Sequence, residues 1–211
     1  MKPISGYKEA KATNFNGVER LPAGGYVLRV LDVKEEPYDW GDVVVLRFDI
    51  AEGEQKGFFD KQYKAMSDEY KKWKGTYRIN IPQPKSNSDE DMAKYNRAVG
   101  FFKSQIEAFN SSNPNINIDC SREWDTATLK NKFVGAVFGN KEWAMDGRSG
   151  WFTNCDHLIS VDDIRSGNFT VPKDKPLSKK ASDRLDEEID RLAEAEAAAF
   201  EEVTEDGDVP F

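Results

Sequence analysis

Val43-Val44-Val45-Leu46-Arg47-Phe48-Asp49-Ile50 is the stretch whose pattern decides the fold. Val44, Leu46, Phe48 and Ile50 take alternate positions, and Val43, Val45, Arg47 and Asp49 take the others. Successive strand side chains point to opposite faces. The alternation therefore predicts a half-buried strand with the first set on its core face. Upstream, Tyr26-Val27-Leu28-Arg29-Val30-Leu31-Asp32-Val33 is rich in β-branched and apolar residues, with Tyr26, Leu28 and Val30 sharing a face. Pro37 is expected to end that strand, and Asp39-Trp40-Gly41-Asp42 to turn the chain. Downstream, Glu52-Gly53-Glu54 reads as a turn and Lys56-Gly57-Phe58-Phe59-Asp60 as the start of a third extended stretch. Thr76 to Ile81 alternates again, with Tyr77, Ile79 and Ile81 on one face, until Pro82.

The period then changes. After a polar loop over residues 83–91, Tyr95, Val99, Phe102, Ile106 and Phe109 recur at steps of three and four, which predicts an amphipathic helix from Met92 to Asn110. Ser88 followed by Asp89, Glu90 and Asp91 suits its N-terminal end, and Asn113-Pro114 should stop it. Two more strand signals follow, Phe133–Phe138 and Gly150-Trp151-Phe152 with His157–Val161, punctuated by Gly139 and by Asp146-Gly147. Pro172 and Pro176 close the domain near residue 177. Behind an extended lead-in over residues 1–24, residues 25–177 thus read as a mainly β domain. Five strands with one helix between the third and fourth is the element order of an OB-fold-like barrel, which presents an open face to oligonucleotides.

Composition narrows the classes. The 211 residues carry 30 Lys+Arg against 38 Asp+Glu, a net charge of -8, with 38% hydrophobic and 12% aromatic residues. That is too polar for a membrane protein and too aromatic for a wholly disordered chain. No apolar run of about 18 residues could span a bilayer, and Met1 to Gly6 lacks an apolar signal core. Two cysteines, Cys120 and Cys155, make no disulfide framework, so a cytoplasmic setting is expected. The charge is unevenly placed: residues 1–180 have a net of +2, whereas residues 181–211 hold 12 acids and 2 Arg. A globular body with an acidic interaction or solubilising tail follows. Residues 178–203 are Ala/Glu-rich, with Leu185, Ile189 and Leu192 at helical spacing, and predict an acidic helix ahead of a tip at 204–211. That stripe could pair in a homo-oligomer, but three positions are too few to define a coiled coil.

No phosphate-cradling loop and no dinucleotide fingerprint occur, so no cofactor is expected. His157 is the one histidine, and no catalytic residue is assigned. Cys155 and His157 should share a strand face; with Cys120 they would give three zinc ligands, one short of a structural site, and no metal is expected. Glu54-Gln55-Lys56 with Asp49 matches a short piece of a metal-dependent nuclease pattern, but so short a match arises readily by chance in a highly charged chain, and a solvated strand turn is the favoured reading.

A stronger signal is the basic, aromatic stretch from Lys56 to Arg78, with a net of +4 over 23 residues and Phe58, Phe59, Tyr63, Tyr70, Trp73 and Tyr77 interleaved. Cations neutralise phosphates and release counterions, while aromatic faces stack on unpaired bases without reading sequence. The candidate single-stranded DNA-binding residues are Lys61, Tyr63, Lys64, Tyr70, Lys71, Lys72, Trp73, Lys74 and Arg78, with Trp40 and Arg47 nearby. The alternative is that the rings are core and the lysines a solvated rim.

The chain ends Glu205-Asp206-Gly207-Asp208-Val209-Pro210-Phe211. This resembles the tip of bacterial single-stranded DNA-binding proteins, an acidic run followed by an aliphatic residue, Pro and a terminal Phe. The body resembles phage-encoded OB-type proteins of replication and recombination clusters, through Gly25-Tyr26-Val27, Gly53-Glu54-Gln55-Lys56-Gly57 and Leu129-Lys130-Asn131-Lys132-Phe133-Val134-Gly135. The resemblance implies a protein that coats single-stranded DNA in a bacterial host cell. It also implies that Asp206, Asp208, Val209, Pro210 and Phe211 recruit replication, recombination and repair proteins, a terminal carboxylate being captured beside an aromatic anchor. The Ala/Glu-rich segment before the tip departs from the flexible Gly/Pro/Gln-rich linker of the bacterial proteins. A metal-dependent nuclease of phage recombination and a protein-interaction module that binds no DNA are the alternatives.

Overall fold

The computed structural model describes residues 20–39, 41–66, 71–189, 191 and 192. Trp40, Tyr70 and the tip at 204–211 lie outside the described residues, as do residues 1–19 of the lead-in. The elements are β1 (Gly24–Tyr38), β2 (Gly41–Ile50), α1 (Phe58–Ala65), β3 (Thr76–Asn80), α2 (Asp89–Ser112), β4 (Phe133–Met145), β5 (Arg148–Ile159) and α3 (Val161–Ser166). All strand pairs are antiparallel, in the order β3-β2-β1-β4-β5.

β2 follows its alternation: Val44, Leu46, Phe48 and Ile50 are all buried in the core cluster. β1 keeps Leu28 and Val30 on that face, then inserts Leu31 as a bulge, since Val30 pairs with Phe48 and Asp32 with the adjacent Arg47. The extra residue flips the phase, so Val33, opposite Leu46, also packs on the core. Pro37 does not end the strand. It pairs with Asp42 where β1 has β2 as its one neighbour, so the missing N–H breaks no second ladder.

The expected extended stretch at Lys56 to Asp60 is instead the entry to α1. Gly57 offers no capping side chain, but the Asp49 carboxylate, on β2, accepts the N–H of Phe59 (3.0 Å) and of Asp60 (3.2 Å). A cap from eight residues upstream supplies the negative group that a helix N-terminus wants. Helical geometry also lets the adjacent Phe58 and Phe59 both reach the core, where Phe59 meets Phe48 edge-on at 5.5 Å.

α2 is capped by Ser88 as expected, its hydroxyl accepting the Asp91 N–H, but the helix starts at Asp89, three residues before Met92, because the acids after the cap belong to its first turn. Phe102, Ile106 and Phe109 are buried along one face. Asn113 stops the helix and stitches it to β4: its side-chain amide donates to Phe109 O and Phe133 O and accepts the Phe133 N–H at 3.0 Å. Gly139 does not interrupt β4. β4 and β5 form one long hairpin, closed by Asp146 and Gly147 at φ 52° and 68°. Positive φ at both positions is the turn that suits right-handed strand twist. His157 to Ile159 end β5, whereas Val161 opens α3.

The barrel expected from the element order is not closed. β3 and β5 are the two edges of a five-stranded open sheet, and among the described residues no ladder joins them. β3 has five residues, β5 is bent by a bulge at Asp156, and Leu21 fills part of the gap as a member of the core. The helix between third and fourth strands is present as α2, with α1 and α3 besides. Residues 179–189, in the segment expected to be an acidic helix, are helical. No helix among the described residues is long and apolar enough to cross a membrane.

Candidate nucleic-acid interface

On β2 and β3, Arg47 stands opposite Thr76 and Val45 opposite Arg78, on the face away from the core. The Arg47 guanidinium lies 5.0 Å from the centre of the Trp73 ring. Trp73 Nε1–H donates to Phe48 O (3.1 Å) and Gly75 O (3.0 Å), which fixes the indole against the sheet. Gly75 is required there, because a Cβ would sit 2.4 Å from Phe48 O. Tyr63 of α1 packs at 5.6 Å from Trp73, tilted by 50°, and Lys71 Nζ lies 5.3 Å from the Tyr63 ring. Lys71, Tyr63, Trp73 and Arg47 thus form one row, two packed rings with a cation at either end. Trp73 and Tyr77 are half-buried against the core, and Phe58 and Phe59 are inside it. Most rings of the basic stretch are therefore held by the protein itself.

Its cations are arranged differently. Lys61, Lys72, Lys74 and Arg78 are exposed, and Lys64 pairs with Asp60 at 2.6 Å. Lys74 and Arg78 line a groove of about 570 Å³ between the edges of β3 and β5. Arg20 joins them, and Trp151, Phe152, Thr153 and Asn154 form the opposite wall. Among the described residues three cations and no acid line this groove. Trp151 and Phe152 are 39% and 38% exposed, unlike the rings of α1. The two edges come close near its base: burial pushes the Tyr77 phenol on β3 up, and Cys155 and the Asp156 charge on β5 add to the effect. Tyr38 extends the outer face beside Arg78. Its hydroxyl donates to Glu36 at 2.7 Å, which pushes the phenol up, while Arg78 pulls the other way.

Arg20, Trp151 and Phe152 do not belong to the basic stretch that the sequence singles out. Nothing in the sequence separates this aromatic pair from the rings of the basic stretch, because packing decides which rings stay exposed.

Cys155 and His157 do not share a face. Cys155 pairs with Phe138 and His157 with the adjacent Val137, so the bulge residue Asp156 sets the two on opposite sides. Burial pushes the Cys155 thiol up, away from the thiolate form that a metal needs. Cys120 is exposed on the loop after α2. Among the described residues no group of three His, Cys, Asp or Glu could hold a metal ion. Both Asp49 oxygens are taken by backbone amides, and Glu54 is exposed in its turn.

No family model and no curated protein matches the chain.

Proposed function

We propose that this protein binds single-stranded DNA through an OB-type sheet, without cleaving it, and recruits replication and recombination proteins through its acidic, Phe-ended C-terminus. The strand order supports the fold reading: β1 lies between β2 and β4, β3 and β5 are the outer strands, and α2 connects β3 to β4. That is the order of an OB barrel opened between its third and fifth strands. The observation that carries the function is the groove between those edges, with Arg20, Lys74 and Arg78 facing the half-exposed Trp151 and Phe152. Phosphates take the cations and bases take the rings, a pairing that tolerates any sequence. A groove lined by rings also favours unpaired bases, since a duplex hides its base faces by stacking.

The 12 acids of residues 181–211 give the same chain an intramolecular competitor for the cations. Bound DNA displaces it and frees the tip for a partner. Titration of labelled oligo-dT against the matching duplex, with Mg²⁺ present, tests the reading. Saturable binding of the single strand, preference over duplex and an intact oligonucleotide are expected. Absence of binding at low salt, or degradation of the strand, overturns it.

A further inference from the structure

The β5 wall of the groove has no hydrogen bonds to β3, so something else must hold Trp151 and Phe152 at their distance from Arg78. Beyond α3 the chain runs back along the other side of β4. β1 pairs with β4 only over Phe133–Phe138. At residues 140–142 a strap takes its place: Lys175 N–H donates to Asn140 O (3.0 Å) and Glu142 N–H to Lys175 O (2.9 Å). Pro172 lies against Gly139, and Leu177 N–H donates to the Glu142 carboxylate at 2.9 Å.

Two side-chain links carry the strap through to β5. Asn140 Nδ2 donates to Asp174 (2.8 Å) while its Oδ1 accepts from Thr153 Oγ1 (3.0 Å), and Thr153 lines the groove. Lys175 Nζ is ion-paired with Asp156, the bulge residue of β5, which also meets His157 Nδ1 at 3.1 Å. Helical residues follow at 179–189, and Leu192 reaches the hairpin turn, where a Cβ on Gly147 would lie 2.7 Å from its Cδ1.

Resting on the single-stranded DNA reading, we infer that Lys175 and Asn140 are positioning residues: the strap over residues 172–177 locks the β4–β5 hairpin and so sets the Trp151–Phe152 wall of the groove. The acidic segment continues directly from this strap. A force or partner that peels the segment away therefore loosens the wall, and the C-terminus controls the groove by its attachment as well as by its charge.

Lys175→Met removes the ion pair with Asp156 without touching the groove cations. Full-length protein is titrated with oligo-dT over a range of salt. Apparent affinity should fall about threefold, as expected if a third of the molecules keep the competent hairpin. The slope of log affinity against log salt should not change, because no phosphate contact is lost. Asn140→Ala should act the same way, and exchanging the partners in Lys175→Asp with Asp156→Lys should restore affinity. Amide exchange at Glu142, measured without DNA, should rise in Lys175→Met and return in the exchanged pair. Unchanged affinity in both single variants while that amide is exposed overturns the strap's role and leaves the DNA reading standing. A reduced salt slope in Lys175→Met also overturns it, by making Lys175 a phosphate contact. Failure of the wild type to bind oligo-dT overturns both.

Discussion

Arg47 places its guanidinium 5.0 Å from the ring centre of Trp73, while the Trp73 Nε1–H is spent on two backbone carbonyls. One face of the indole thus meets a cation, its polar edge is satisfied, and Tyr63 packs beside it at 5.6 Å. A ring held in this way is part of the wall of the protein, and its cation is attached to it. Trp151, without such fixtures among the described residues, lines the groove together with Arg20, Lys74 and Arg78.

Trp73→Ala should consequently act on stability. Full truncation of a buried aromatic costs about 3–5 kcal/mol; for a half-buried ring that also leaves Arg47 and Tyr63 without their partner, roughly 2–3 kcal/mol is expected. Chemical denaturation measures it. A loss below 0.5 kcal/mol would show that the indole is not anchored.

Trp151→Ala and Phe152→Ala should act on binding instead. Each base–aromatic stack is worth about 1–3 kcal/mol, so oligo-dT affinity should fall roughly five- to 150-fold per ring. The melting temperature should move little, since both side chains are already more than a third exposed. Equal affinity in both variants would remove the groove from the binding site.

Lys74→Gln and Arg78→Gln test the phosphate side. Each neutralised phosphate contributes about -0.7 to the slope of log affinity against log salt on a single strand. Each variant should flatten the slope by about that amount, as should Arg20→Gln. Lys64→Gln, whose amine is already paired with Asp60 at 2.6 Å, should flatten it less. Identical slopes in all four would place the strand elsewhere.

The sheet was legible where hydrophobic alternation had one partner face to serve. β2, β3 and α2 follow their patterns because each buries a single stripe. α1 was not legible, because its cap comes from Asp49 rather than from its own flanking residues. Bulges at Leu31 and Asp156 hid as well, since an inserted residue changes the phase without changing composition. The candidate site divides along the same line. Basic charge is a property of sequence, so Lys74 and Arg78 could be found. Which rings stay half-exposed depends on packing, and Tyr63 and Trp73 look no different from Trp151 and Phe152 in a string of letters.

Asp49→Ala isolates the distant cap. Losing a capping carboxylate costs typically about 1 kcal/mol, and here it also strips the amides of Phe59 and Asp60 of their acceptor. The melting temperature should drop, and Mg²⁺ should have no effect on either protein. A Mg²⁺-dependent change lost in the variant would instead return Asp49 to the metal-binding role of a nuclease.

Acid should release the strap. Hydrogen bonding and charge from Lys175, then from His157, hold the Asp156 carboxyl below its usual range. A carboxylate whose folded value is depressed contributes stability above its unfolded value, near about 3.9, and loses it as pH falls through the folded one. Wild type should therefore melt above Asp156→Asn at pH 7, and the gap should shrink progressively below about pH 4 as the wild-type carboxylate is protonated. Because the pair is partly exposed, moderate salt should narrow the gap at neutral pH as well. A gap that persists at pH 2.5 would mean that Asp156 acts through its shape and hydrogen bonding. The ion pair with Lys175 would then contribute nothing to holding the strap.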